Sequence, residues 1–118
     1  MIVYISGPMT GIDNFNREAF FVAERALKAE GYAVLNPASL PDGLTYGQCM
    51  DIAMAMVRSA DMLFMLPGWS GSNGAMAEQA YAASLEKPAL ESVPYRPRLY
   101  NSEQQEKTGD EQSVCDQR

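Results

Sequence analysis

The chain has 118 residues, 47% of them hydrophobic and 20% charged, which fits one compact domain and excludes collagen-like, fibrous and wholly disordered classes. Nine Lys and Arg against 15 Asp and Glu give a formal net charge of −6, so no chain-wide basic field exists to hold a nucleic acid polymer or an anionic membrane. Histidine is absent, which removes the commonest general base and the commonest zinc ligand. Any chemistry must run on carboxylates, hydroxyls, backbone amides or a thiol, and neither a metal nor a cofactor is expected.

In chain order, Ile2-Val3-Tyr4-Ile5 is a short β-rich run ended by Gly7-Pro8 and predicts the first strand. Asn14 or Asn16 then caps a helix with a buried stripe of Phe20, Ala23 and Leu27, a Glu24 and Lys28 pair on the wet side, and Gly31 at its end. Ala33-Val34-Leu35 predicts the second strand, closed by Asn36-Pro37. Tyr46, Cys49, Met50, Ala53, Met54 and Val57 follow the i, i+3, i+4 rhythm of a second helix, buried on one side. Its methionines, Met50, Met54 and Met56, read as core and subunit-interface filling rather than a cofactor box. Asp61 reads as a structural turn residue before the third run, Met62-Leu63-Phe64-Met65-Leu66, which Pro67-Gly68 ends. A third helix is expected after Ser72-Asn73-Gly74, from Ala75 to about Leu85, and a weaker fourth strand follows Lys87-Pro88.

The apolar runs are continuous rather than alternating, as in strands covered on both faces. Together with the β-α-β-α-β-α-β order, this predicts right-handed crossovers and an α/β fold. The expected architecture is a small doubly wound (Rossmann/flavodoxin-like) parallel sheet of four to five strands with helices on both faces.

Composition changes near residue 94, so the α/β domain is expected to occupy residues 1–93. Residues 94–118 form a polar tail rich in Glu, Gln, Ser and Lys, expected to be solvated or to fray as a helix docked on a partner subunit. Cys49 and Cys115 lie in unlike surroundings and make no disulfide framework. The opening MIVYISGP has no basic n-region, and no run approaches the roughly 18 apolar residues of a membrane span. A reducing, cytoplasmic setting is the expectation. A domain this small, with helices rich in Met and Tyr, is further expected to form a homodimer or larger homo-oligomer.

In sheets of this class ligands bind outside the carboxyl ends of the strands, where strand order reverses. That rule gathers residues 7–11 with Gly7, Pro8 and Met9, residues 36–43 with Asn36, and residues 67–74. In PGWSGSNGAMAE, two serines, an asparagine and three glycines precede a helix, so free amides and a positive helix end would favour an anion such as phosphate. The same glycines also serve a tight turn, with Ser72 or Asn73 as a helix cap. Glu78 is expected in the first turn or so of that helix, either as a nucleophile at an anomeric carbon or as an ordinary exposed helix-start glutamate. Tyr4 is either a core tyrosine or a hydroxyl touching the site carboxylate. Trp69 is a wall for a stacked ring or an interface anchor.

YISGPMTG, GYAVLNPA and CMDIAMAMVRSADMLFMLPGWSGSNGAMAE together resemble the small DUF4406-type proteins of phages and bacteria. That group is similar to the nucleoside 2-deoxyribosyltransferase superfamily, which also holds the 2'-deoxynucleoside 5'-monophosphate N-glycosidases. The resemblance covers about residues 1–90. It implies that Glu78 attacks C1' to form a covalent glycosyl intermediate and that Tyr4 orients the carboxylate. It also implies that Ser72, six residues before Glu78, meets a 5'-phosphate with Ser70 and the amides around Asn73 and Gly74.

One position departs from the pattern. Where the superfamily carries an acid for the leaving base, eight residues before Asp61, this chain has Ala53. Asp51 is turned away by roughly 200° along the helix. Two main expectations follow: an enzyme acting on the N-glycosidic bond of deoxynucleosides or their 5'-monophosphates, or a non-catalytic nucleotide binder on the same fold. The third is a structural protein whose glycine loop only turns the chain.

Overall fold

A computed structural model describes residues 1–92. Four parallel strands, β1 (Ile2–Ser6), β2 (Ala33–Leu35), β3 (Met62–Met65) and β4 (Ala89–Glu91), lie in the order β2-β1-β3-β4. Three helices connect them, α1 (Arg17–Ala29), α2 (Tyr46–Ser59) and α3 (Asn73–Ser84). The chain passes from central β1 to β2 on one side, then recrosses to β3 on the other, so strand order reverses between β1 and β3. This is the expected doubly wound α/β class, with four strands among the described residues. The expected 93/94 domain boundary, the polar tail and Cys115 lie outside them.

Alternation along each strand assigns the two faces. Val3, Ile5 and Met62 pack with Phe20, Ala23 and Leu27 of α1. Tyr4, Leu63 and Met65 pack on the opposite face with Ala53 and Val57 of α2 and Ala82 of α3. The amino ends of β1 and β3 are tied by Asp61, whose Oδ2 accepts from the Ile2 amide at 2.7 Å while its own amide donates to Ile2 O at 2.7 Å. No helix among the described residues is long and apolar enough to cross a membrane.

Three local expectations are corrected. Asn16 stands at the start of α1 but its side chain does not cap the helix. Asn14, Phe15 and Asn16 are all left-handed, at φ 53°, 56° and 61°, and this backbone turns the Asn16 amide to donate to Pro8 O at 2.9 Å. Within the apolar stripe of α2 only Ala53 and Val57 are buried, whereas Cys49, Met50 and Met54 are half-buried and Tyr46 is exposed. The start of α2 is fixed by a capping box between Thr45 and Gln48. Finally, α3 begins at Asn73 because Ser72 Oγ accepts from the Ala75 amide at 3.2 Å, making Asn73 and Gly74 helical.

The carboxyl end of α2 is closed from outside the helix. Lys87, just before β4, donates to the carbonyls of Val57 at 3.3 Å and Ala60 at 2.6 Å, and to that of Arg58. A cation there also complements the negative helix end. Lys87→Met removes these bonds while keeping the apolar stem. It is expected to lower unfolding free energy by about 1–3 kcal/mol, read as a lower midpoint with unchanged m-value in urea denaturation.

Candidate functional site

The site begins with a two-residue spacing on β1. Tyr4 and Ser6 point to the same face, towards α2 and α3, because strand side chains alternate. On α3, Ala75, Glu78 and Ala82 form the inward stripe, so the only acidic residue of that stripe is aimed at the sheet. The two elements meet in a fully buried cluster: Tyr4 Oη donates to Glu78 Oε2 at 3.0 Å, and Ser6 Oγ donates to Glu78 Oε1 at 2.6 Å. All three residues are 0% exposed. Taking a carboxylate from water is costly unless hydrogen bonds replace those of the solvent, and hydroxyl bonds to an ionised oxygen are among the stronger ones.

Glu78 is expected in the first turn or so of α3 and stands in its second, since the helix starts at Asn73. The helix dipole acts mainly within the first turn. The hydroxyls of Tyr4 and Ser6 on β1 are polar groups set against this carboxylate. Glu78 is also not an exposed helix-start residue.

Beside this cluster lies a cavity of about 230 Å³. Its walls come from residues after β1 (Met9, Thr10), the stretch after β2 (Pro37 to Leu44), the entry to α1 (Phe15, Arg17), and Tyr46, Cys49 and Ala53 of α2. Ala53 belongs both to this lining and to the buried cluster that contains Tyr4. Its methyl group thus stands between the cavity and the site carboxylate's surroundings. Asp51 is exposed and is not among the lining residues.

The other residues singled out in the sequence are distributed unevenly. Met9 lines the cavity. Gly7 and Pro8 are buried, and a Cβ on Gly7 would lie 2.8 Å from Leu66 Cβ, so close packing requires glycine there. Trp69 is half-buried against the Tyr4 face. Ser70 and Asn73 are exposed, whereas Ser72 and Gly74 are buried. None of residues 67–74 lines the cavity, so the structure brings the first two loops together around it and leaves the third beside Glu78's helix.

Sequence reasoning missed Ser6, although its spacing from Tyr4 on a strand was the available signal. It also missed the clamp across the cavity rim, where Arg17 pairs with Asp42 at 2.5 Å and lies over the Phe15 ring at 5.2 Å from its centroid. No local pattern announces that pair, because the left-handed turn at residues 14–16 creates it.

The family model described as a domain of unknown function, DUF4406, matches residues 1–90. No curated protein matches the chain.

Asn36, which the sequence offers as a ligand-binding residue by position alone, has both ends of its amide engaged within the protein. Its Oδ1 accepts from the Ala38 amide at 2.8 Å and its Nδ2 donates to Glu24 Oε1 at 2.8 Å. Lys28 reaches the other Glu24 oxygen at 2.7 Å. The Lys28 bond first, then the Asn36 bond, hold the Glu24 carboxyl below its ordinary value of 4.5, against the opposing effect of burial. A depressed folded-state value contributes stability above the unfolded value, and that contribution fades as pH falls through the folded one. The stability difference between the parent chain and Glu24→Gln should therefore be constant near neutrality and shrink below about pH 4.5, measured by urea denaturation across pH.

Proposed function

The chain belongs to the DUF4406 family, and we propose that it acts on the N-glycosidic bond of 2'-deoxynucleosides or their 5'-monophosphates through a covalent intermediate on Glu78. The observation that supports this reading is a fully buried carboxylate gripped by two hydroxyls of β1 at the strand-order reversal, where ligands of this fold class bind. A carboxylate held at both oxygens has a set orientation, and a fixed nucleophile converts an encounter into a near-attack geometry.

In the first step an oxygen of Glu78 forms a bond to C1' as the C1'–N bond breaks, and the base departs with the bonding electrons and takes up a proton. In the second, water or another base forms a bond to C1' as the bond from C1' to the Glu78 oxygen breaks, the carboxylate is restored, and the attacking group gives up a proton to solvent. Tyr4 orients Glu78 through both steps. A 5'-phosphate would meet residues 67–74, where Ser70 and Asn73 are exposed next to the start of α3, and a neutral hydroxyl suits that dianion better than a carboxylate. The same reading includes a homo-oligomer working in the cytoplasm of a bacterial or phage-infected cell.

A second reading, a non-catalytic nucleotide binder, draws on Ala53. Its methyl group lines the cavity where the resembled superfamily has an acid, and general acid catalysis is typically worth ~10²–10⁴-fold. Incubating the purified chain with a panel of deoxynucleosides and deoxynucleotides separates the two. Free base released by the parent and slowed at least ~10³-fold by Glu78→Gln supports the enzyme. Calorimetric binding with no base release supports the binder. Base release by Glu78→Gln at the parental rate overturns the nucleophile assignment.

A further inference from the structure

Ser6 takes no part in the expectations drawn from sequence or resemblance, yet its contact to the buried carboxylate is shorter than that of Tyr4. Its backbone is immobilised by the sheet: Ser6 pairs with Met65 in the β1–β3 register, and its carbonyl accepts from the Leu66 amide at 2.8 Å. The next residue, Gly7, packs so closely on Leu66 that no Cβ fits. With the strand so fixed, Ser6 Oγ is a donor in a set position, 2.6 Å from Glu78 Oε1.

Two features make this more than a filled hydrogen-bonding valence. First, Ser6 and Tyr4 take different oxygens, Oε1 and Oε2, so the plane of the carboxylate is defined by two points on one strand. Removing either loosens the group about its last torsion, whose preference is broad for a glutamate. Second, the donors are matched to the ionised form. A carboxylate is a strong acceptor at both oxygens, whereas a protonated carboxyl is the weaker acceptor and turns one oxygen into a donor as well. The titratable group that reaches Glu78 from β1 is Tyr4, and Ala53 and Val57 of α2 with Leu63 and Met65 of β3 pack around Tyr4 on this face.

We propose that Ser6 is a positioning residue that, acting with Tyr4, holds Glu78 ionised and in a single orientation. The function of that orientation rests on the nucleophilic reading given above, but the effect on the carboxylate does not. A merely space-filling serine would influence stability and leave the proton equilibrium of Glu78 in place.

The test follows the Glu78 carboxyl carbon by NMR in ¹³C-glutamate-labelled protein, with the signal assigned by its loss in Glu78→Gln. Ser6→Ala removes the donor, and Ser6→Cys replaces it with a weaker one of similar size. The expected titration midpoint rises from parent to Ser6→Cys to Ser6→Ala, with Tyr4→Phe as a second donor-deletion control. Should Ser6→Ala not fold, the parent and Ser6→Cys still give the required comparison. An unmoved midpoint in the folded Ser6 variants overturns the proposal, whatever the activity assays give. Absence of base release by the parent chain overturns the enzymatic reading alone. Where base release is found, Ser6→Ala is expected to lower kcat roughly ten- to hundredfold with a smaller change in KM, and to move the acidic limb of the pH profile upward.

Discussion

The hydrogen bonds from Tyr4 and Ser6 to Glu78 join the central strand to α3 through a fully buried carboxyl group. A carboxylate without partners in this position would impose a penalty of several kcal/mol, comparable with the whole stability of a small domain. The arrangement is consequently self-consistent only as a set. The strand must present two hydroxyls on one face, and the helix must start where Ser72 starts it. Gly7 must also let the chain leave β1 against Leu66. Hydrophobic packing on the same face, from Ala53, Val57, Leu63 and Ala82, supplies the closure that excludes water.

A similar economy governs the rim of the cavity. Each left-handed non-glycine residue at positions 14–16 is strained on the order of 1 kcal/mol or more, and the compensating contacts are visible. Asn16 binds the Pro8 carbonyl, while Arg17 contacts Asn14, Asp42 and the Phe15 ring. The outcome is a link between the exit of β1, the entry to α1 and the stretch after β2. Glu24 and Asn36 make a second link between α1 and that stretch. The cavity is therefore framed in part by side chains whose polar groups already hold the loops in place, and Met9, Leu40, Cys49 and Ala53 are among the residues that complete its lining.

Much of the fold is legible in the sequence wherever one short-range pattern decides the outcome. Ala33–Leu35 is β2 as its β-rich composition predicts, and the inward Phe20, Ala23 and Leu27 follow from helical spacing alone. The α2 stripe promises more burial than the structure gives, because periodicity reports which side of a helix is apolar and not how far the partner surface extends beneath it. The Asn16 cap fails for a related reason: asparagine favours both caps and left-handed backbone, and the pull of the Pro8 carbonyl chooses the second. Ser6 is hidden because a serine ending a strand before Gly-Pro looks like the first residue of a turn. Its role becomes apparent only when α3 is laid across the sheet.

Ala53 is where fold and chemistry meet most sharply. It seals the cluster around Tyr4 and at the same time forms part of the cavity wall. An acid at that place would face the cavity from a buried position, with an alanine-sized space to occupy. Alanine instead leaves this part of the wall apolar. The wall contributed by α2 is thus neutral here, and the polar contacts that reach Glu78 from the sheet come from Tyr4 and Ser6 of β1.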